Sequence, residues 1–397
     1  MTEAGVVGKP NVGKSTFFAA ATLANVQIAN YPFTTIKANR GVAYVRAPCP
    51  HKDLGHACNP KNSACDNGMR LIPVELIDVA GLVKGAHQGR GQGNQFLDDL
   101  RQAAVLIHVV DIAGTTDPDG NPVPAGTHDP NDDVAFLEDE IHRWMAGILA
   151  KGWERTFRLI DLEGKKIEDA MQEKLAGLGV SRAQVVNAVR EVQLPARAEL
   201  WKDPQFLGLA KAIQRLSKPI LIAANKCDLS TPEAVDAFRE AQDVEVFPTA
   251  AEMELALRRA DKAGVLRYSL GAATFEVTDP GKLNAAQSKA LDRIRDYLAK
   301  WKTTGVQRVL EHAVFERLKL IPVYPVEDEG KWTDKDGNVL PHTHLLPQGS
   351  TARDLAFKVH TDLGKHFIRA IDGRTKRVVG ADHPLKSGDV IKIVAAK

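Results

Sequence analysis

The first half of the chain reads as short, nearly continuous apolar runs separated by glycine-rich turns. Residues 4–7, 72–77 and 103–110 predict buried strands, with Pro73 tempering the second. Residues 220–224 and 245–247 are further buried-strand candidates, and residues 15–25 predict a helix opened by a glycine-rich turn. Strands separated by helical stretches predict an α/β domain with a mostly parallel sheet and helices on both faces. Residues 114–133 hold four Pro and three Gly and predict a loop. Beyond it Phe136, Leu137, Ile141, Trp144, Met145, Ile148 and Leu149 recur at helical spacing. Helical pattern continues to about residue 194, with Ser181 a candidate N-cap for Val185, Val186 and Val189, and Pro195 closing it.

About 100 residues thus separate the strands at Val109 and Ile220, far more than one crossover helix needs, which predicts a helical insertion. A second helical stretch covers residues 252–320, with Leu291, Ile294, Leu298 and Trp301 on one face. Pro322, Pro325 and the turn-rich residues 334–338 predict a linker or an early hairpin. A helix at 351–363 and a strand at 390–394 then complete a small α+β module. The expected division is a core of residues 1–113 and 215–265, a helical insertion at 114–214, a helical extension at 266–322 and the C-terminal module at 323–397.

Composition narrows the class. The longest apolar-rich stretch, residues 103–113, is interrupted by His108 and Asp111, so no run is suited to spanning a bilayer. The first residues lack the basic and apolar regions of a secretory signal, and four cysteines in 397 residues make no disulfide framework. A reducing cytoplasm is the expected compartment. The formal net charge is +2, but residues 351–397 carry ten Lys/Arg against five Asp, a local net charge of +5. That asymmetry points to a nucleic-acid contact at the C-terminal end, with Arg374, Lys376 and Arg377 the expected exposed cluster, or else to a solvated basic face.

The chemistry begins at residues 8–15, GKPNVGKS, which fit G-x-x-x-x-G-K-[ST] between a predicted strand and helix. Glycines let backbone N–H groups converge on phosphate oxygens, and the helix aims its positive dipole end at them. Gly8, Lys9, Pro10, Asn11, Val12, Gly13, Lys14, Ser15 and Thr16 are therefore the expected phosphate cradle. Lys14 would reach the β- and γ-phosphates and Ser15 would bind Mg²⁺. Asp78 and Gly81, in D-V-A-G at a strand end, are placed to hold Mg²⁺ through water and to contact the γ-phosphate. Asn225-Lys226-Cys227-Asp228 follows another strand. A carboxylate at Asp228 can accept from both guanine N1–H and N2–H₂, which would select GTP over ATP; a helix N-cap is the plainer reading. In residues 31–35, with Phe33, Thr34 and Thr35, one threonine should reach Mg²⁺ and the γ-phosphate and release on hydrolysis.

With these residues in view the chain resembles the Obg-like GTPases of the translation-factor-related class, closest to the YchF branch and its archaeal relatives. The resemblance is carried by GKPNVGKSTFF at 8–18, NYPFTT at 30–35 and the glycine-rich DVAGLVKGAHQGRGQGNQFLDDLR at 78–101. The segment from residue 336 resembles a TGS domain, which implies a contact with RNA or the ribosome. The resemblance implies Thr35, rather than Thr34, as Mg²⁺ ligand, and Lys14, Thr35 and Gly81 as the groups that act on the γ-phosphate. It also implies a K⁺ site at Asn11, with a turn-stabilising role as the alternative. The bacterial and eukaryotic YchF branch usually carries Glu at the position of Asp228 and prefers ATP. The fifth guanine motif reads Thr249-Ala250-Ala251-Glu252 without its usual serine, leaving the Ala251 N–H to meet guanine O6.

Leu82 stands where many small GTPases orient the attacking water with Gln, so intrinsic hydrolysis should be slow, and His87, Gln88 and Arg90 carry no assigned catalytic part. The expected function is Mg²⁺-dependent hydrolysis of GTP to GDP by a molecular switch working with the ribosome. The rivals are a nucleotide-loaded RNA-binding scaffold with negligible turnover and an ATPase of the YchF type. Thr35 and Asp78 lie 43 residues apart, and the surplus between them carries Cys49, His51, His56, Cys58 and Cys65 within 17 residues. Cys49, His51, Cys58 and Cys65 are candidate Zn²⁺ ligands. Their irregular spacing leaves free thiols and a redox-dependent disulfide as the alternatives.

Overall fold

The computed structural model describes residues 3–23, 39–79, 99–195 and 197–396. Among the described residues seven strands form the central sheet: β1 (Glu3–Val7), β2 (Arg40–Pro48), β3 (Ala64–Asp66), β4 (Met69–Asp78), β5 (Val105–Asp111), β6 (Ile220–Asn225) and β7 (Val246–Pro248). Their order is β2-β4-β1-β5-β6-β7, with β3 also on β4. β1, β4, β5, β6 and β7 run parallel, and β2 and β3 run antiparallel to β4. All seven residues of β5 are buried, as a central parallel strand covered on both faces requires. Pro73 sits inside β4 without breaking it. At this point β4 pairs with β2, the β3 pairing has ended at Leu71 and the β1 pairing begins only at Glu75.

The pleat sends alternate residues to two cores. Leu106 packs with the insertion, whereas Val105 and Ile107 pack with the opposite layer. That opposite layer holds α1 (Lys14–Thr22). Between β2 and β3 a single helical turn, α2 (His51–Leu54), starts a long excursion. The insertion is five helices: α3 (Pro130–Ala150), α4 (Trp153–Glu163), α5 (Ile167–Leu175), α6 (Arg182–Glu191) and α7 (Asp203–Ser217). Asp129 caps α3, and Ser181 with Gln184 forms the capping box of α6. α6 ends at Glu191, four residues before Pro195, so the proline follows the helix end rather than making it. Trp153 stacks on Trp201 at 5.2 Å and meets Phe206 edge-on at 5.3 Å, fixing the start of α4 against α7.

After the insertion come α8 (Pro232–Glu240) and α9 (Ala251–Lys262). The continuous helical stretch expected from 252 to 320 is interrupted by a small hairpin, β8 (Leu266–Arg267) with β9 (Glu276–Val277). Helix resumes as α10 (Ala285–Trp301), capped by Asn284, and as α11 (Val306–Glu311), which runs into a π-helical turn, His312–Arg317. Leu291, Ile294 and Leu298 are buried on α10 as expected, but Trp301 is only half-buried.

The C-terminal module is a five-stranded sheet in the order β11-β10-β14-β12-β13: β10 (Leu320–Val326), β11 (His344–Pro347), β12 (Phe367–Asp372), β13 (Val378–Val379) and β14 (Val390–Ala395). Pro322 and Pro325, expected in a linker, lie inside β10. Residues 320–323 pair with β11 and residues 324–326 with β14. Tyr324 turns its N–H to Asp389 of the β14 side, so Pro325 faces the side where β11 pairing has already stopped. The turn at 334–338 is closed by Asp334 N–H on the Asn338 carbonyl, a hairpin rather than a linker. The helix expected over 351–363 is two, α12 (Ala352–Val359) and α13 (Thr361–Lys365), broken where His360 turns extended. This sheet also has two cores. Val323 and Ile391 pack under α12, and their neighbours Tyr324 and Val390 face the β2–β4 excursion.

Candidate nucleotide-binding site

The parallel register sets the carboxyl ends of five strands along one edge. Val6 lies opposite Asp78, Val7 opposite His108, Asp111 opposite Asn225, and Ala224 opposite Pro248. In open α/β sheets this edge is where ligands bind. The loop after β1 is shaped by two glycines with positive φ. A Cβ on Gly8, at φ +155°, would stand 2.6 Å from the Val109 carbonyl; one on Gly13, at φ +92°, would stand 2.3 Å from Asn225 Nδ2. Helix α1 then opens with no side-chain cap and no acidic residue in its first turn, so no side chain of its own start occupies its leading N–H groups. Val12 is buried beneath the loop, Pro10 and Ser15 are exposed, and Thr16 is half-buried.

Lys14 Nζ meets Asp78 Oδ1 at 2.6 Å, joining the two residues expected to share the phosphates and the metal. The Lys9 side chain is taken up inside the protein. Its buried ammonium pairs with Asp133 at 2.9 Å and donates to the Thr116 carbonyl at 2.9 Å, while His128 meets Asp133 from the other side at 2.8 Å. The lysine therefore fastens the loop to the start of α3. Asn11, at φ +63°, donates Nδ2 to the Gly120 carbonyl at 2.9 Å, the turn-stabilising alternative for this residue. The loop at 114–129 thus backs the phosphate loop.

At the other end of the edge, Asn225 donates Nδ2 to the Val12 carbonyl at 2.9 Å and accepts the Ala251 N–H on Oδ1 at 3.0 Å. The Ala251 N–H expected to meet guanine is engaged here, and the Ala250 N–H donates to the Thr304 carbonyl at 2.9 Å. Lys226, in the left-handed region at φ +63°, reaches Asp111 Oδ2 and Thr115 Oγ1, each at 2.9 Å. Asp111 is fully buried and also accepts from the N–H groups of Ala113 and Thr115 and the hydroxyls of Thr115 and Thr116. Burial works to raise its carboxyl, but the hydrogen bonds from Lys226 and Thr115 outweigh it and hold it below the usual range. Asp228 is half-buried on a single 3₁₀ turn, at a cleft of about 300 Å³ lined also by Ser230, Met253, Tyr297 and Trp301.

Phe33, Thr34, Thr35 and Gly81, with Leu82, His87, Gln88 and Arg90, lie outside the described residues. Sequence reasoning passed over Asp111, Asp133 and Thr116. The signal for Asp111 was present, a carboxylate ending an otherwise apolar strand, but it carried no partner until the register set it beside Asn225 and Lys226. Cys49, His51, Cys58 and Cys65 come together at the excursion, and His56 turns away to the Leu54 carbonyl. The C-terminal basic cluster is partly engaged within the molecule. Arg374 pairs with Asp53 at 2.9 Å, and Lys376 donates to the carbonyls of Glu329 and Gly373. Among the described residues no helix is long and apolar enough to cross a membrane.

Family models agree with this geometry. That of 50S ribosome-binding GTPases matches residues 3–145. The G4 motif-containing domain of YGR210-like Obg-like GTPases matches 223–328, and the TGS domain matches 332–395. An uncharacterized GTP-binding protein of Methanocaldococcus jannaschii is 50% identical over 399 aligned positions, covering 100% of both chains. A ribosome-binding ATPase YchF of Escherichia coli O157:H7 is 29% identical over 98% of each chain. The crystal structure of a GTP-binding protein from Pyrococcus horikoshii OT3 superposes with a TM-score of 0.79 at 45% identity, covering all of both chains. A glycine-shaped loop at the carboxyl edge of a parallel sheet, a G4-type motif bound to that loop and a TGS module at the C-terminus occur here in one chain with full-length relatives, and the protein belongs to the YchF-type Obg-like GTPases.

Proposed function

We propose that this chain binds guanine nucleotides and hydrolyses GTP to GDP and phosphate as a slow molecular switch that works with the ribosome in the cytoplasm. The observation that carries the reading is Asn225, which joins the phosphate loop to the Asp228 turn, so that phosphate and base are read by one rigid edge. The Lys14–Asp78 contact would open on binding. Lys14 would turn to the β- and γ-phosphates and the α1 N–H groups would take the remaining oxygens. Ser15 and Asp78 supply oxygen donors that suit Mg²⁺ and lie beside the same lysine, so these two, with Thr35 as the resemblance implies, would hold the ion. When bound, Mg²⁺ neutralises charge on the β- and γ-phosphates.

Hydrolysis adds water to the γ-phosphorus and breaks its bond to the β–γ bridging oxygen, leaving GDP. By resemblance Thr35 and Gly81 would order around the γ-phosphate and release once it leaves. Leu82 cannot orient water, so a ribosomal partner or K⁺ would accelerate the step; the ion would use Asn11 Oδ1, since Nδ2 holds Gly120. Relatives named GTP-binding at 50% identity and ribosome-binding at 29% support the nucleotide and the partner respectively. The test is equilibrium binding of labelled GDP, GTP and ATP with Mg²⁺ to the wild type and to Asp228→Glu, followed by co-sedimentation with ribosomes. Guanine preference of at least about 100-fold, about 2.7 kcal/mol, lost in the variant, is expected. Equal or better ATP binding by the wild type would overturn the guanine reading.

A further inference from the structure

The excursion between β2 and β4 has little of its own to hold it. It contains one four-residue helix and one three-residue strand, and it buries few side chains. Such a segment needs a cross-link to keep one conformation. Cys49 follows β2, His51 starts α2, Cys58 lies in the loop and Cys65 lies on β3. Their ligand atoms all lie within 4.8 Å of one another. Cys49 Sγ is 3.8 Å from Cys58 Sγ, and His51 Nδ1 is 3.3 Å from Cys58 Sγ and 3.5 Å from Cys65 Sγ.

These three separations match edges of a coordination tetrahedron. With Zn–S of about 2.3 Å and Zn–N of about 2.05 Å, tetrahedral angles put sulfurs about 3.8 Å apart and sulfur and nitrogen about 3.6 Å apart. A disulfide would need sulfurs at about 2.05 Å. Nor do packed thiols account for the imidazole. One ring nitrogen makes one directed hydrogen bond, yet Nδ1 faces two sulfurs at nearly equal distance. Three thiolates and a neutral imidazole around a dication carry one net negative charge. The fully buried Arg70, over the Tyr324 ring at 5.2 Å and bonded to Ser63 and the Leu340 carbonyl, sets a positive charge beside them.

The same excursion is the seat of the C-terminal module. Asn59 and Lys61 donate their N–H groups to the carbonyls of Val339 and Pro341, at 3.1 and 2.7 Å. Asn62 exchanges two hydrogen bonds with the Thr343 backbone, each at 3.0 Å, and Lys61 pairs with Asp334 at 2.8 Å. Cys49 itself packs with Tyr324, Val326, Trp332, Leu340 and Val390. We propose that Cys49, His51, Cys58 and Cys65 bind one Zn²⁺ in a closed structural site, and that the ion holds the excursion as the plate on which the TGS module docks.

The test is metal analysis of the full-length protein purified reduced and without chelator, then titration of chelator-stripped protein with Co²⁺ and with Zn²⁺ alone. One Zn²⁺ per chain is expected, with Co²⁺ giving thiolate charge-transfer and tetrahedral ligand-field bands that Zn²⁺ abolishes. The Cys58→Ser/Cys65→Ser variant should lose at least about 100-fold in Zn²⁺ affinity, and His56→Ala should lose none. Should the serine variant fail to fold, the wild type still decides. On stripping, hydrogen exchange at the Val339 and Thr343 amides, which donate to Asn59 and Asn62, should rise at least about tenfold and recover with Zn²⁺, while the Phe17 amide stays protected. A reduced wild type that takes up neither ion, a Cys49–Cys58 disulfide in the protein as isolated, undiminished binding by the serine variant, or exchange at those amides that ignores the metal would each overturn the proposal.

Discussion

Asn225 holds the carbonyl of Val12 at 2.9 Å with its amide nitrogen, while its oxygen takes the Ala251 N–H. One buried side chain thereby ties the phosphate loop, the end of β6 and the start of α9. No two of these segments are adjacent in sequence. The asparagine is therefore a structural clamp as well as part of the proposed base-recognition motif, and changes to it should appear in stability even with no nucleotide present.

Asn225→Ala leaves the Val12 carbonyl and the Ala251 N–H buried without their partner. A loss of about 2 kcal/mol in unfolding free energy is expected, together with a loss of at least about tenfold in GDP affinity. Urea unfolding and fluorescent-GDP titration read the two effects. An unchanged midpoint would mean that the clamp contributes nothing to the free protein.

Gly13→Ala attacks the same contact from the other side. Its Cβ would stand 2.3 Å from Asn225 Nδ2, on a backbone at φ +92° that L-residues rarely adopt. Destabilisation of about 2–3 kcal/mol and loss of measurable nucleotide binding are expected. Calorimetric melting with and without GDP checks both, and wild-type behaviour would show that the loop accommodates the methyl group.

Lys226→Met removes the cation from a carboxylate that is fully buried. With Asp111 left charged, the cost should be about 3 kcal/mol; adding Asp111→Asn should recover about 1 kcal/mol or more, the two side chains being in direct contact. A double-mutant cycle by chemical denaturation measures the coupling. Additive losses would mean that the pair does not interact.

His108, buried in the middle of the sheet, predicts acid sensitivity. Burial first, and then the charge of Lys9, pull its imidazole down to about 3. Above pH about 6.5 it is neutral in both folded and unfolded chains and costs nothing. Between pH 6.5 and 3 only the unfolded chain takes the proton, so stability falls as pH falls, by up to about 4–5 kcal/mol, and below pH 3 the loss stops growing. His108→Gln should flatten this slope in urea unfolding followed against pH. An equally steep dependence in the variant would assign the acid loss to other groups.

Much of the phosphate end was legible because its chemistry is local. Gly8 and Gly13 shape the loop through their backbone, Lys14 and Ser15 open the helix after it, and the strand before and helix after them follow from apolar runs that are short and contiguous. The partner of the Lys9 side chain was not legible for the same reason. Nothing in its neighbours announces Asp133, which is 124 positions away along the chain and meets it only because the insertion folds back over the loop. Pro322 and Pro325 read as breakers because proline forfeits a donor. They sit in a strand because β10 changes partner midway, a property of the sheet and not of the segment.

The sequence by itself determined the ligand chemistry: spacing along one turn or one strand end decides which donors face a phosphate, and four soft side chains within 17 residues set out a candidate metal site. Only the tertiary structure decided which of those groups meet. The carboxyl ends of five strands share an edge through parallel registers that couple positions far apart along the chain, such as Asp111 and Asn225. Cys49, His51, Cys58 and Cys65 bring their ligand atoms within 4.8 Å of one another because β2, β3 and β4 pair around them and the C-terminal sheet packs against them. Separations of this kind are fixed by hydrogen-bond register and core packing, and neither can be read from the order of residues.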